Sequence, residues 1–361
     1  MTVIEEIHAD HGATFTERSG NRVVADYGRP ERTHQAVRNV VGAIELGYGI
    51  VEVTGSDRVS YVDNVVSNNV PREDGHGCYA LFLGPQGNIE TDLYVYNAAE
   101  RLLLLFPPAC AEPIAEEWRE KIFIDDVEIR VVTDEFAVFG VHGAKATEKV
   151  ASVLTGASAP EPPLSFVRGS IGDAGVTAIA GDALTGEESY EIICTAAEAH
   201  EVFDALINHG MNAVPFGDTV WNTLTLEAGT PLFESELRGK IPNVAGIRNA
   251  LDFEKGCYVG QEVVSRVENR GRPSQRLVGI TLDTVPSAGA AVFDGDASIG
   301  SITRAAISPL KETPIALAYV DFAVDTTSVT VRVDGEACDG SIVDLPFIEG
   351  SMRSLRLPTY E

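Results

Sequence analysis

The segment Lys255–Arg266, KGCYVGQEVVSR, holds the residues of this sequence best suited to covalent chemistry. Cys257 stands between Gly256 and Gly260, beside Lys255 and ahead of Gln261, Glu262 and Arg266. A thiol becomes a nucleophile or a ligand as its thiolate, which nearby cations such as Lys255 or Arg266 favour, and glycines let the backbone bend close to a ligand. A free cysteine equally serves as one more small buried hydrophobe, and spacing alone leaves both readings open. Cys78, Cys110, Cys194 and Cys338 lie far apart with no CxxC pair, so neither a disulfide framework nor a zinc site is expected. Among the seven histidines only His8 and His11 are close, without an HExxH motif, and no bound metal is expected.

The chain that must position this thiol has 361 residues, 44% of them hydrophobic and 22% charged, enough for a large core and two or three domains. Its 54 acidic against 27 basic residues give a net charge of -27, which repels both nucleic acid and anionic membranes, so neither is an expected partner. No apolar run approaches the roughly 18 residues of a membrane span, and the opening MTVIEEIHADHG carries acids where a signal peptide needs a basic region. A cytoplasmic protein is expected. Six lysines against 21 arginines, beneath such an excess of acid, resemble the solvated surface of a salt-adapted, halophilic protein; an ordinary acidic surface serving solubility is the alternative.

Short β-like runs, RVVADY and YGIVEVTG, flank a stretch with helical spacing, THQAVRNVVGAI, in which Val37, Val40, Val41 and Ile44 recur on one face. SDRVSYVDNVVSNNV reads as a helix capped by Ser56 or Asp57. CYALFLGPQGNIETDLYVYN reads as a hairpin turning at residues 85–88, with Asp92 near the start of its second strand. YEIICT is a strand, and TAAEAHEVFDALINHG a helix with Thr195 as its cap and Gly210 as its left-handed stop. The Gly, Ala, Ser and Pro-rich stretch at 154–164 is a connector. Beyond Pro273 come only short β runs, which predict a small all-β domain over 275–361.

These residues carry a family resemblance. HADHGATFTERSG followed by THQAVRNVVGAIELGYGIVEVTGSD, then GNIETDLYVY, TGEESYEI, LTLEAGTPLFESEL and GSITRAAISPLKETPIALAYV, resembles the T-protein (aminomethyltransferase) of the glycine cleavage system in order and spacing along nearly the whole chain. KGCYVGQE with Arg266 is similar instead to the signature of the YgfZ branch, whose members bind folate and support iron–sulfur enzymes. The chain thus resembles the YgfZ/GcvT folate-binding superfamily. The resemblance implies an α+β fold: two interleaved α/β units around a central folate pocket over 1–272, and a C-terminal β-barrel over 275–361. It also implies tetrahydrofolate or another reduced folate as cofactor. Glu187 and Glu191 match the family's acids at this segment and would accept from the donor-rich edge of the pterin, with Tyr190 stacking on or walling the ring. Asp92 matches the catalytic aspartate, a general base toward the folate nitrogen that attacks a methylene carried on a lipoyl arm. Glu227 in LEAG would bind or support the pocket.

Three positions depart from the T-protein pattern: Thr225 replaces an arginine before LEAG, Asn69 an aspartate, and Phe106-Pro107-Pro108 a polar asparagine region. Folate recognition is better preserved than the transferase lining. The leading expectation is therefore a folate-binding protein that supports assembly or repair of iron–sulfur enzymes, with Cys257 at the cavity mouth in transient contact with an iron–sulfur partner. The alternative is a tetrahydrofolate-dependent aminomethyl- or methyltransferase with a lipoyl carrier protein as partner. A flavin-linked oxidase or demethylase reading lacks a GxGxxG after a strand.

Overall fold

Alternation along the strand Ile89–Asn97 turns Asp92, Tyr94 and Tyr96 to one face and Leu93 and Val95 to the other. The structure, a computed structural model, describes residues 2–333 and 335–360. Among the described residues this strand belongs to a five-stranded sheet in the order His76–Leu83, Ile89–Asn97, Leu102–Phe106, Gly49–Thr54, Glu128–Val131. A seven-stranded sheet runs Leu154–Thr155, Phe166–Ile171, Ala174–Ala180, Ser189–Thr195, Phe136–His142, Gly42–Leu46, Val214–Pro215. All its pairs are antiparallel except the last.

One apolar layer joins the two sheets: Tyr79, Leu81, Tyr94 and Tyr96 from the first pack with Val138, Ile179 and Ile193 from the second. The sheets are interleaved in sequence, because the chain passes from Gly42–Leu46 to Gly49–Thr54 through a link of two residues, Gly47 and Tyr48. The outer face of the seven-stranded sheet is covered by the helix Ala199–Asn208, which buries Val202, Phe203, Leu206 and Ile207. Gly210, at φ +60°, follows it as its sequence suggests. Six strands from Gln275–Leu282 to Glu336–Val343 close a barrel, as expected of the C-terminal region. Among the described residues no helix is long and apolar enough to cross a membrane.

One local expectation is corrected. The helix expected over THQAVRNVVGAI spans Pro30–Asn39, and Gly42–Leu46 is a strand. Pairing with Phe136–His142 and full burial of Val41 and Ala43 outweigh the helical spacing. A Cβ on Gly42 would meet Val37 at 2.6 Å and Phe216 at 2.7 Å, so glycine permits that close passage. Asp92, expected near the start of its strand, is the fourth residue of Ile89–Asn97, opposite Leu81.

Beyond the barrel, the tail from residue 344 returns across the body. The amides of Ile348, Met352, Leu355 and Thr359 donate to the carbonyls of Glu227, Gly186, Asp182 and Gly246. This tail delivers a side chain to the space between the sheets.

Candidate functional site

Between the two sheets lies a cavity of about 100 Å³, walled by Tyr48, Tyr79, Tyr94, Trp221 and Phe233 and containing Asp92 and Arg356. Asp92 Oδ2 accepts from the Tyr79 hydroxyl at 2.8 Å and from Arg356 Nη1 at 2.9 Å. Its other oxygen, Oδ1, is buried without a partner. Arg356 continues the chain of charge: Nε donates to Asp182 Oδ2 at 3.0 Å, and Nη2 meets the Tyr94 hydroxyl. Its guanidinium lies 3.8 Å from the Tyr79 ring centroid and 4.9 Å from that of Tyr94. Burial raises the Asp92 pKa above the usual carboxylate range, while the Arg356 charge and the Tyr79 hydrogen bond draw it back.

Glu191 stands behind Tyr48. Oε1 accepts from the Tyr48 hydroxyl at 2.8 Å, and Oε2 is buried without a partner. Burial pushes this acid up to about 7, opposed by the Tyr48 hydrogen bond. Two carboxylates are thus each anchored through one oxygen and unpartnered at the other: Asp92 in the cavity wall, and Glu191 buried behind Tyr48, outside the lining. Unpaired buried acceptors are uncommon, because each forgoes roughly 1–3 kcal/mol of hydrogen bonding. Both suit a ligand rich in N–H donors between aromatic walls.

The other expected residues are placed elsewhere. Tyr190 neighbours Glu191 on an extended strand and so turns to the opposite face; its ring joins the outer core and its hydroxyl lies 3.1 Å from Thr147 Oγ1. It does not wall the cavity. Glu187 and Glu227 converge on Arg38: Nη1 donates to Glu187 Oε1 and Nη2 to Glu227 Oε2, both at 2.8 Å. Glu227 also receives His34 Nε2 at 2.8 Å and the Ser308 hydroxyl, and Glu187 receives the amide and hydroxyl of Ser351. Although burial alone would raise Glu227, the His34 hydrogen bond and the charges of His34 and Arg38 hold it below its ordinary value. These two acids tie body, barrel and tail together and are absent from the cavity lining.

In the KGCYVGQE segment Cys257 is exposed, yet the cations beside it in sequence are committed. Lys255 Nζ donates to the carbonyls of Asp63, Val66 and Asn68 at 2.6–2.9 Å and thereby closes the C-terminal end of the helix Arg58–Val65. Arg266 pairs with Glu262 at 2.8 Å on an exposed helix face. Gln261 Nε2 reaches back to the Lys255 carbonyl at 3.4 Å. Gly260 takes φ +81° at the start of the helix Gln261–Arg270, where a Cβ would lie 2.7 Å from the Gly84 carbonyl. Gly256 has open space around it, and none of these residues lines the cavity. Thiolate stabilisation by Lys255 or Arg266 is therefore not what their contacts provide.

Residues 4–255 match the GCVT N-terminal domain, and residues 275–349 the glycine cleavage T-protein C-terminal barrel domain. The chain belongs to the glycine cleavage T-protein family. An aminomethyltransferase of Saccharopolyspora erythraea is 31% identical, covering 96% of this chain and 97% of its own. A probable aminomethyltransferase of Halobacterium salinarum is 32% identical over 95% of this chain and 97% of its own. The glycine cleavage system aminomethyltransferase T of Bartonella henselae superposes with a TM-score of 0.87 at 22% identity, covering 98% of each chain, and so shares the fold.

Within this family fold, the departures noted in sequence have visible consequences. Pro107 and Pro108 form an apolar wall of the cavity. Thr225 accepts from Arg304 Nη1 at 2.8 Å, so an arginine from a barrel strand reaches the position where the resemblance expects one on the helix. Asn69 hydrogen-bonds Asp252. Sequence reasoning missed Arg356 and Tyr48; the only available signal for Arg356 was a cation in a short tail of an otherwise acid-rich chain.

Proposed function

We propose that this protein is a tetrahydrofolate-dependent one-carbon transferase of the aminomethyltransferase kind, working at Asp92. The observation that carries the reading is the geometry of Asp92: a buried carboxylate on the wall of an aromatic cavity, fixed through Oδ2 by Tyr79 and Arg356, with Oδ1 buried and unpartnered. Full-length likeness to proteins named aminomethyltransferase supports it over the iron–sulfur accessory reading.

A reduced folate would supply the nitrogen that takes up the one-carbon unit. Asp92 Oδ1 would hold the N–H at that centre and take its proton, general-base work for which a pKa raised by burial and restrained by a fixed cation is suited. Glu191 would accept from the donor edge of the pterin, and the tyrosine rings with Trp221 would exclude water. A lipoyl carrier protein is the partner this chemistry requires, and a cytoplasmic setting belongs to the same reading. Glu191→Gln keeps the shape but exchanges an anionic acceptor for a neutral amide, and should weaken reduced-folate binding by about 1–3 kcal/mol in titration calorimetry. Unchanged affinity would remove Glu191 from the site.

The exposure of Cys257 favours a second reading, a folate-binding protein that supports iron–sulfur enzymes. Alkylation of the native protein should then label Cys257 ahead of the half-buried or buried Cys78, Cys110, Cys194 and Cys338. Cys257→Ala should also fail to restore iron–sulfur enzyme activity in cells lacking the protein; full complementation by the variant makes the thiol incidental.

The charge of -27 supports adaptation to high salt. Screening shortens electrostatic range to about 3 Å at molar ionic strength, so self-repulsion fades. Melting temperature should rise steeply between dilute and molar KCl, and a flat profile would count against a halophilic setting.

A further inference from the structure

Tyr48 occupies half of the two-residue link where the chain crosses from one sheet to the other, and its ring walls the cavity. Glu191 is buried behind it on the strand Ser189–Thr195 and does not itself reach the cavity surface. The phenol donates to Oε1 at 2.8 Å, Oε2 has no partner, and the Tyr48 residue is only half-buried while the acceptor it serves is fully buried. Its other close ring neighbour is Tyr94, edge-on at 6.2 Å between centroids. The cavity in front measures about 100 Å³. Ligand pockets for molecules of drug-like size usually hold roughly 300–1,000 Å³, so this cavity is small for such a ligand and displacement of a wall residue would enlarge it.

We infer that Tyr48 is an internal stand-in for the ligand: its phenol holds the acceptor that a donor-bearing ring edge takes when bound, and Tyr48 must swing aside to admit that edge. This inference rests on the reading of the cavity as a folate site. A ligand edge with two adjacent N–H donors can satisfy both oxygens of Glu191, whereas Tyr48 satisfies one, so exchange leaves Glu191 better paired than before. Tyr48 is half-buried as a residue and stands outside the paired strands, so fewer backbone constraints hold it than hold a residue within a sheet. The competing hydrogen bond lowers the affinity of every ligand that uses Glu191, since it must be broken first.

The sign of this effect separates the stand-in from an ordinary wall or binding residue. Tyr48→Phe keeps the ring and removes only the competing donor, so affinity should increase. Loss of the phenol also leaves Glu191 more prone to protonation. The measurement is therefore made at pH 9, above the value of about 7 that burial gives this acid in the parent protein, so that residual protonation in the variant works only against the expected gain. With 5-formyltetrahydrofolate, a stable reduced folate, as probe, calorimetry should show binding roughly tenfold tighter for Tyr48→Phe than for the parent protein, with faster association in stopped flow. Tyr48→Leu, which also lacks the donor, should show the same direction if the Phe variant folds poorly. Equal or weaker binding by both variants, with the parent protein binding normally, overturns the stand-in alone. Absence of binding by the parent and both variants overturns the folate reading, and the inference falls with it.

Discussion

Asp92→Asn should lower one-carbon transfer by about 10²- to 10⁴-fold while leaving the melting temperature nearly unchanged. Asparagine matches the shape of aspartate, and its carbonyl can take the place of Oδ2 as acceptor for Tyr79 and Arg356. Its amide nitrogen then stands where Oδ1 was bare, so a donor confronts the N–H that the carboxylate would have accepted. No general base remains at that point. Single-turnover kinetics with circular dichroism as a control for folding check this, and a variant within tenfold of the parent rate would take Asp92 out of the chemistry.

Arg356→Met should cost about 3–5 kcal/mol of stability at neutral pH, because one arginine neutralises two buried carboxylates. Asp92 and Asp182 would remain buried, with the Tyr79 and Tyr94 hydroxyls as donors but without their cation. Asp92 would take up a proton more readily, since the charge that opposes its burial is gone. The double variant with Asp182→Asn should recover part of the loss by removing one of the stranded charges. Urea unfolding measures both proteins; a loss below about 1 kcal/mol would mean that solvent reaches and screens the pair.

Much of this architecture was legible in the sequence because strand period and turn chemistry are local signals. The hairpin around residues 85–88, the helix ending before Gly210 and the β texture of the barrel required no tertiary knowledge. The orientation of Tyr190 was equally legible: adjacent residues of a strand face opposite ways, so Tyr190 and Glu191 could not both wall one cavity. Family likeness had grouped them by motif, and alternation separates them. The overlong helix at 33–44 had a different origin, since its end is fixed by pairing with a strand about 95 residues further on.

What stayed hidden depends on contacts distant in sequence. Nothing local in RSLRLPTYE indicates that Arg356 crosses the molecule to meet Asp92, 264 positions earlier. Glu187 and Glu227 looked like pocket acids because their partner, Arg38, sits on a helix remote from both in sequence. Lys255 looked like a neighbour of the thiol, yet its ammonium group is held by three carbonyls near residues 63–68. Charged residues in this chain reveal their roles through the partner each one meets in the fold.

The most direct test of the account is transfer of the methylene carbon from an aminomethylated lipoyl carrier protein to tetrahydrofolate by the purified protein, followed in a single turnover at molar KCl. Carbon appearing on the folate in amounts stoichiometric with the protein, and none above background with Asp92→Asn, is the expected result. Normal reduced-folate binding without any transfer would contradict the account and favour the iron–sulfur reading.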